Sequence, residues 1–181
     1  MKSKRKKRLL KASLMGLGGG LFGVGLGLLA RRLWCKEGRS QIGPEDERFV
    51  KEAAAAGLEE IALGHVAGQR GQREEVRALA QRLIRDHTQT NSELTALVLR
   101  KGFVPPGYLP KKQQATVECM AGLNPEQFDA RFAAQMVREH REAIGLFQRE
   151  AAGGEDPELR ALAQKVLPVL HEHLRLALAL A

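Results

Sequence analysis

Four stretches of the chain place apolar residues at steps of three and four, and each carries one metal-ligand side chain on the same face. The first stripe is Phe49, Ala53, Ala56, Leu63 and Ala67, with Glu60 among them. The second is Val76, Ala80, Leu83, Leu94 and Leu97 around His87, and the third is Ala133, Met136, Ala143, Ile144 and Phe147 around His140. The fourth is Leu159, Leu162, Val166, Val169, Leu176 and Leu180 around His173. This is the period of an amphipathic helix, so each polar residue points where its apolar neighbours point. In the same frames His65 and His171 fall opposite the stripe and read as solvated.

A buried carboxylate or imidazole is costly unless it finds a partner. Four such residues on four helices have two common explanations. They meet in the core of a bundle and bind a metal ion. Alternatively, they form a metal-free hydrogen-bond network that fixes helix register.

Turn residues divide the stripes into elements. Gly43-Pro44 opens the first helix, with Glu45 and Asp46 in its first turn, and it runs to about Gly68. The second runs from about Gln72 to Lys101, before Gly102. The segment GFVPPGYLP, with Pro105, Pro106 and Pro110, is non-helical, and a short amphipathic helix covers 111–121. Asn124-Pro125-Glu126-Gln127 starts the third long helix with Asn124 as cap and Gln127 in a capping box, and that helix runs to about Ala152. Asp156-Pro157-Glu158 starts the fourth, which Pro168 is expected to bend. VRALAQRLI at 76–84 matches LRALAQKVL at 159–167, an offset of 83, and Phe49–Glu60 aligns loosely with Phe128–Glu139 at 79. Together these suggest two helical hairpins related by a pseudo-two-fold axis, and the looser alignment sets Glu60 against Glu139.

Composition agrees with an all-helical chain. The 181 residues suffice for one domain with a real core, and they hold only six Phe, one Trp and one Tyr. No alternating β-branched run marks a strand. The net charge of +8 and pI near 9.9 suggest a nucleic-acid partner until the charge is located. Residues 1–40 hold eleven Lys and Arg against Glu37 alone, a net of +10, so residues 41–181 carry −2. No basic stripe interleaved with aromatics occurs there, and nucleic-acid binding is not expected. Cys35 and Cys119 match no disulfide scaffold or metal motif.

The basic tail has its own explanation. Seven Lys and Arg between Lys2 and Lys11 precede the uncharged stretch Ala12–Ala30, closed by Arg31 and Arg32. Nineteen helical residues span roughly 28 Å, close to the hydrocarbon thickness of a bilayer. The stronger positive cluster comes first, so the N-terminus is expected to stay cytoplasmic while the rest is exported. Leu28 and Arg31 around Ala30 make a poor cleavage site, which favours a single-pass anchor over a cleaved signal. Gly16/Gly20, Gly19/Gly23 and Gly23/Gly27 have the spacing of a helix-pairing face, consistent with a homo-oligomer through the span. The expected organisation is a basic and hydrophobic segment at 1–32, a linker at 33–43 and a bundle at 44–181, lying outside the cytoplasmic membrane.

The strings FVKEAAAAGLEEIALGHVA, VRALAQRLIRDHTQTNSEL, FDARFAAQMVREHREAIGLFQREA and LRALAQKVLPVLHEHL resemble the exported, ferritin-like bacterial family DUF4142, a domain of unknown function, over about residues 47–180. The most specific pieces are Asp86-His87, the acidic-His pair Glu139-His140, and the closing Leu167-Pro168 with His173. Family members usually show Asp-His where this chain has Glu139-His140. The resemblance implies a ferritin-like four-helix bundle with a short extra helix in the central crossover, export, and metal binding. It carries over Glu60, Asp86, His87, Glu139, His140 and His173 as site positions, with Asp86 and Glu139 as ligands, as orienting acids or as flanking surface acids.

The chain departs from di-iron ferritins, which use two Glu-x-x-His motifs. The residues three before His87, His140 and His173 are Ile84, Val137 and Leu170. A nitrogen-rich set of three imidazoles suits Zn, Fe, Mn or Cu. The expected function is an anchored or exported metal-binding bundle in envelope metal handling or oxidative stress. A metal-free interaction module of the envelope and a redox enzyme with an open metal position are the alternatives. No P-loop, dinucleotide motif or nucleophile constellation is present.

Overall fold

The structure, a computed structural model, describes residues 40–181. The segment 12–30, with its expected membrane span and glycine face, lies outside them. Among the described residues there are five helices and no strand, and no helix is long and apolar enough to cross a membrane. The helices are α1 (Pro44–Arg70), α2 (Glu74–Arg100), α3 (Lys111–Ala121), α4 (Pro125–Gly153) and α5 (Pro157–Leu180). α1 pairs with α2 and α4 with α5, and the two hairpins pack through α1 against α4 and α2 against α5. The short α3 lies in the long connection between the hairpins and rests on α1.

Local chemistry explains the helix ends. Pro44, Pro125 and Pro157 each occupy the first turn of a helix, where their missing N–H costs nothing. Asp156 caps α5, its Oδ1 accepting from the Glu158 and Leu159 amides at 2.9 and 3.1 Å. Asn124 makes no such side-chain bond, so the expected capping box with Gln127 does not form; only the Gln127 amide to Asn124 carbonyl bond, 3.0 Å, closes that turn. α2 ends at Gly102, whose φ of 74° lies in the left-handed region, and the Phe103 amide then turns back onto the Val98 carbonyl at 2.9 Å. α5 continues through Pro168.

The two hairpins are latched by crossed acids. Asp46 on α1 accepts from the Glu155 and Asp156 amides, 2.9 and 2.8 Å, at the start of α5. Asp129 on α4 accepts from the Gln72 and Arg73 amides, 3.0 and 2.8 Å, just before α2. The turns themselves are clasped alike. Arg77 donates to the Gly71 and Gln72 carbonyls, and Arg160 to those of Gly154 and Glu155. Every one of these pairs obeys the offset of 83 found in the sequence. That register sets Glu60 against Ala143, not against Glu139, so the looser alignment at 79 does not describe the structure.

Two apolar clusters fill the bundle. One joins Phe49, Val50, Leu94, Leu97, Ile144 and Phe147 to the first half of α5. The other gathers Leu63, Leu79, Leu83, Phe128, Phe132 and Met136. Phe128 and Phe132 are fully buried, each worth roughly 2–3 kcal/mol of transfer free energy. The clusters lie toward opposite ends of the helices. Glu60, His87, His140 and His173 fall between their members on all four long helices, so a polar layer divides the core.

Besides Asp46, a second buried acid lies away from that layer. Glu150 is 6% exposed, and its Oε1 has no hydrogen-bond partner. Burial, reinforced by the charges of Asp46 and Asp156, raises its pKa to about 7 from the ordinary 4.5. Below 4.5 the group is neutral in folded and unfolded chains alike. Between 4.5 and 7 the unfolded chain ionises first, so stability is lost as pH rises through that window. Glu150→Gln should therefore match the wild type at pH 4 and exceed it by about 2 kcal/mol at pH 8. Urea denaturation at both values checks this; equal stability at pH 8 would contradict it.

Candidate metal centre

Each long helix delivers one residue to the polar layer: Glu60 from α1, His87 from α2, His140 from α4 and His173 from α5. Their exposures are 2%, 6%, 0% and 0%. His65 and His171 lie on the exposed surface. The structure thus brings the four stripe residues together and leaves the other two histidines in solvent. One ring nitrogen from each of His87, His140 and His173 lies within 4.8 Å of the other two. His87 Nε2 sits 2.8 Å from Glu60 Oε2, but neither it nor Glu60 Oε1 makes a well-directed hydrogen bond.

The outer partners of two rings fix their protons. His140 Nδ1 lies 3.0 Å from the Met136 carbonyl, which can only accept, so Nδ1 carries the hydrogen. His173 Nε2 lies 2.8 Å from Asp86 Oδ2, and the carboxylate again makes the ring nitrogen a donor. Asp86 is itself held by Arg82 at 3.4 Å, and Arg82 also reaches Glu172 at 3.4 Å. The inner nitrogens, His140 Nε2 and His173 Nδ1, then face each other at 3.2 Å. In neutral rings both present lone pairs, and two lone pairs cannot share a hydrogen bond.

Charging a ring would remove the conflict, but the surroundings oppose it. Burial holds His140 below its ordinary range despite Glu60. Burial also lowers His173 to about 4, outweighing Asp86. For His87 burial works in the same direction, but Glu60 overcomes it and the pKa is raised. Glu60 is correspondingly pulled down to about 2 by His87 and then His140, against its own burial. At neutral pH the arrangement is an ionised Glu60 beside His87, with two neutral rings opposed.

Such a set can bind a cation. Two ligands about 2.0–2.1 Å from one tetrahedral ion are roughly 3.3 Å apart, close to the observed separation of the inner nitrogens. Three imidazole nitrogens converge, with Asp86 and the Met136 carbonyl orienting two of the rings, while Glu60 stands beside them, its Oε2 2.8 Å from His87 Nε2 and its Oε1 3.4 Å from His140 Nδ1.

Glu139 lies elsewhere. Its Oε1 accepts from Gln135, which also receives Arg138, and its Oε2 has no partner. Burial, with the charges of Glu60 and Glu59, pushes its pKa up to about 8. It lines a cavity of about 370 Å³ bordered by α1, α3 and α4, which reaches Glu60 from outside. Glu59, whose pKa burial also raises, lines the same space. Glu59 and Gln135 carry no signal in the sequence, because neither lies on one of the four apolar stripes. A second void, about 20 Å³, touches Glu60 and His87 from the side of Gly57 and Asn91.

Fold and site together define an all-α bundle with a buried three-histidine, one-carboxylate cluster. The sequence matches Domain of unknown function (DUF4142) over residues 36–180, and the chain belongs to that family. Its fold is similar to the crystal structure of a DUF305 fragment from Deinococcus radiodurans, with a TM-score of 0.68, 20% identity, and coverage of 76% of this chain and 95% of that one. CopM in the Cu(I)-bound form has a TM-score of 0.63 at 19% identity, covering 73% of this chain and 91% of that one. The Ag-bound form gives 0.61 at 20%, with coverage of 73% and 90%. No curated protein matches the chain.

Proposed function

We propose that this protein is a ferritin-like metal-binding bundle of the cell envelope, holding one transition metal ion through His87, His140 and His173 with Glu60 as fourth ligand. The opposed lone pairs of His140 Nε2 and His173 Nδ1, 3.2 Å apart, carry the reading. A cation gives both something to bind and also engages the unpartnered Glu60 Oε1 or His87 Nε2. Imidazole-rich sites suit zinc and copper best among Zn, Fe, Mn and Cu. Copper gains support from the Cu(I)-bound CopM neighbour. When bound, the metal supplies a Lewis-acidic or redox centre. The chain's own residues hold the ring tautomers, keep out bulk water and balance charge through Glu60. Four protein ligands close a tetrahedral site, which fits storage, buffering or delivery of the ion better than turnover.

The envelope placement rests on the basic N-region and the segment 12–30, as an uncleaved anchor or a cleaved signal. A role in metal handling or oxidative stress follows from that placement and the donor set. The open-site redox alternative draws on the 20 Å³ void beside Glu60 and His87, which has room for one water.

Equilibrium dialysis of the purified full chain against buffered zinc, copper, iron and manganese, read by elemental analysis, tests the reading. The expected result is one tightly held ion per chain for at least one metal. No retention of any of the four would leave the cluster as a register-fixing polar network.

A further inference from the structure

We infer that the acidic cleft bordered by α1, α3 and α4 is the entry route for the metal cation, with Glu59 and Glu139 as transient carboxylate ligands that pass it to Glu60. The inference rests on the metal-binding reading above.

The three imidazole rings are 0–6% exposed, so an ion needs a way in. The cavity of about 370 Å³ provides one, because Glu60 lines it while also standing 2.8 Å from His87. Five acidic and three basic side chains line this space, an acidic excess that remains with Glu139 in its neutral form. Two carboxylate oxygens at its buried end have no partner: Glu60 Oε1, in a side chain 2% exposed, and Glu139 Oε2. Buried oxygens without donors cost free energy that a passing cation offsets. Glu139 is held in place through Gln135, and Glu59 lines the same space.

Carboxylate oxygens bind such ions less tightly than the imidazoles beyond, which sets the direction of transfer. An acidic cleft with low-dielectric walls also raises the local cation concentration. The void of about 20 Å³ on the other side of Glu60 is too small for an ion carrying its water shell.

The test is the rate of loading of the metal-free full chain with Zn2+ and, separately, Cu2+, followed by stopped-flow competition with a chromophoric chelator. Glu59→Gln/Glu139→Gln should slow both uptake and release by about tenfold or more, the scale of electrostatic focusing, with Kd unchanged within about threefold. Thr116→Trp, which obstructs the cleft without changing charge, should slow loading similarly. Glu74→Gln/Glu75→Gln, the same pair of substitutions on exposed residues of α2, should load at the wild-type rate. Circular dichroism verifies that each variant is folded.

If the wild type takes up neither ion, loading is followed with Fe2+ and Mn2+ in the same way, and uptake of none of the four means that the metal reading itself fails. If it takes up an ion and both cleft variants load as fast as wild type, the site stands and the route is wrong. A tenfold weaker Kd in Glu59→Gln/Glu139→Gln would make the acids equilibrium ligands and also overturn the inference.

Discussion

Zinc or copper should raise the melting temperature of the metal-free chain, and His140→Ala or His173→Ala should remove most of that rise. At free metal one hundred times Kd, ligation adds about 2.7 kcal/mol, or about 10 °C for a domain of this size. His171→Ala should keep the full rise, although His171 lies two residues from His173, because it is exposed on the other face. The quantity to compare is the metal-dependent difference within each variant, since truncating a fully buried ring also weakens the apo protein. The pH profile should be dominated by His87. Glu60 raises its pKa, so protons compete there from above pH 6.5 downward and affinity falls with pH through that window. His140 and His173 are held low and compete only in acid. A rise unaffected by His140→Ala or His173→Ala would place the ion elsewhere.

Asp46→Ala should be among the most destabilising single changes outside the apolar clusters, at about 3 kcal/mol. Asp46 is 1% exposed, and its carboxylate satisfies two amides, at Glu155 and Asp156. Removing it leaves both N–H groups without their acceptor in a part-buried turn. Asp129→Ala breaks the equivalent pair of bonds at Gln72 and Arg73, but in a half-exposed place where water substitutes. Its cost should be about half. Chemical denaturation of the two variants at neutral pH measures the contrast, and equal losses would contradict it.

The latches show what the sequence made legible and what it did not. Helical periodicity located Glu60, His87, His140 and His173, because a stripe defines a face and the faces converge. The same reasoning left Asp86 open between three roles. Its bond to His173 depends on how α2 and α5 pack, and no pattern within one helix encodes that. Asp46 has the sequence signature of a helix-start acid, although its hydrogen bonds are made 109 residues away. The signal was present in the repeat: Asp46 and Asp129 occupy equivalent positions at the offset of 83. The looser alignment at 79 obscured it, since Ala-rich helices match one another in several registers. The capping box at Asn124 failed for a related reason. Proline and backbone bonds closed that turn without the side chain.

The crossed latches also bear on how such a molecule arises. Asp46 and the start of α2 lie on one hairpin, Asp129 and the start of α5 on the other. Two copies of a single ancestral hairpin would satisfy both latches as a homodimer, and tandem duplication would join them into one chain. A symmetric dimer must carry each ligand twice. Here Glu60 and His87 face Ala143 and Leu170 in the repeat, and His140 and His173 face Gly57 and Thr90. Joining two such halves would free each position to differ alone, and a twofold scaffold would then carry a single, lopsided centre.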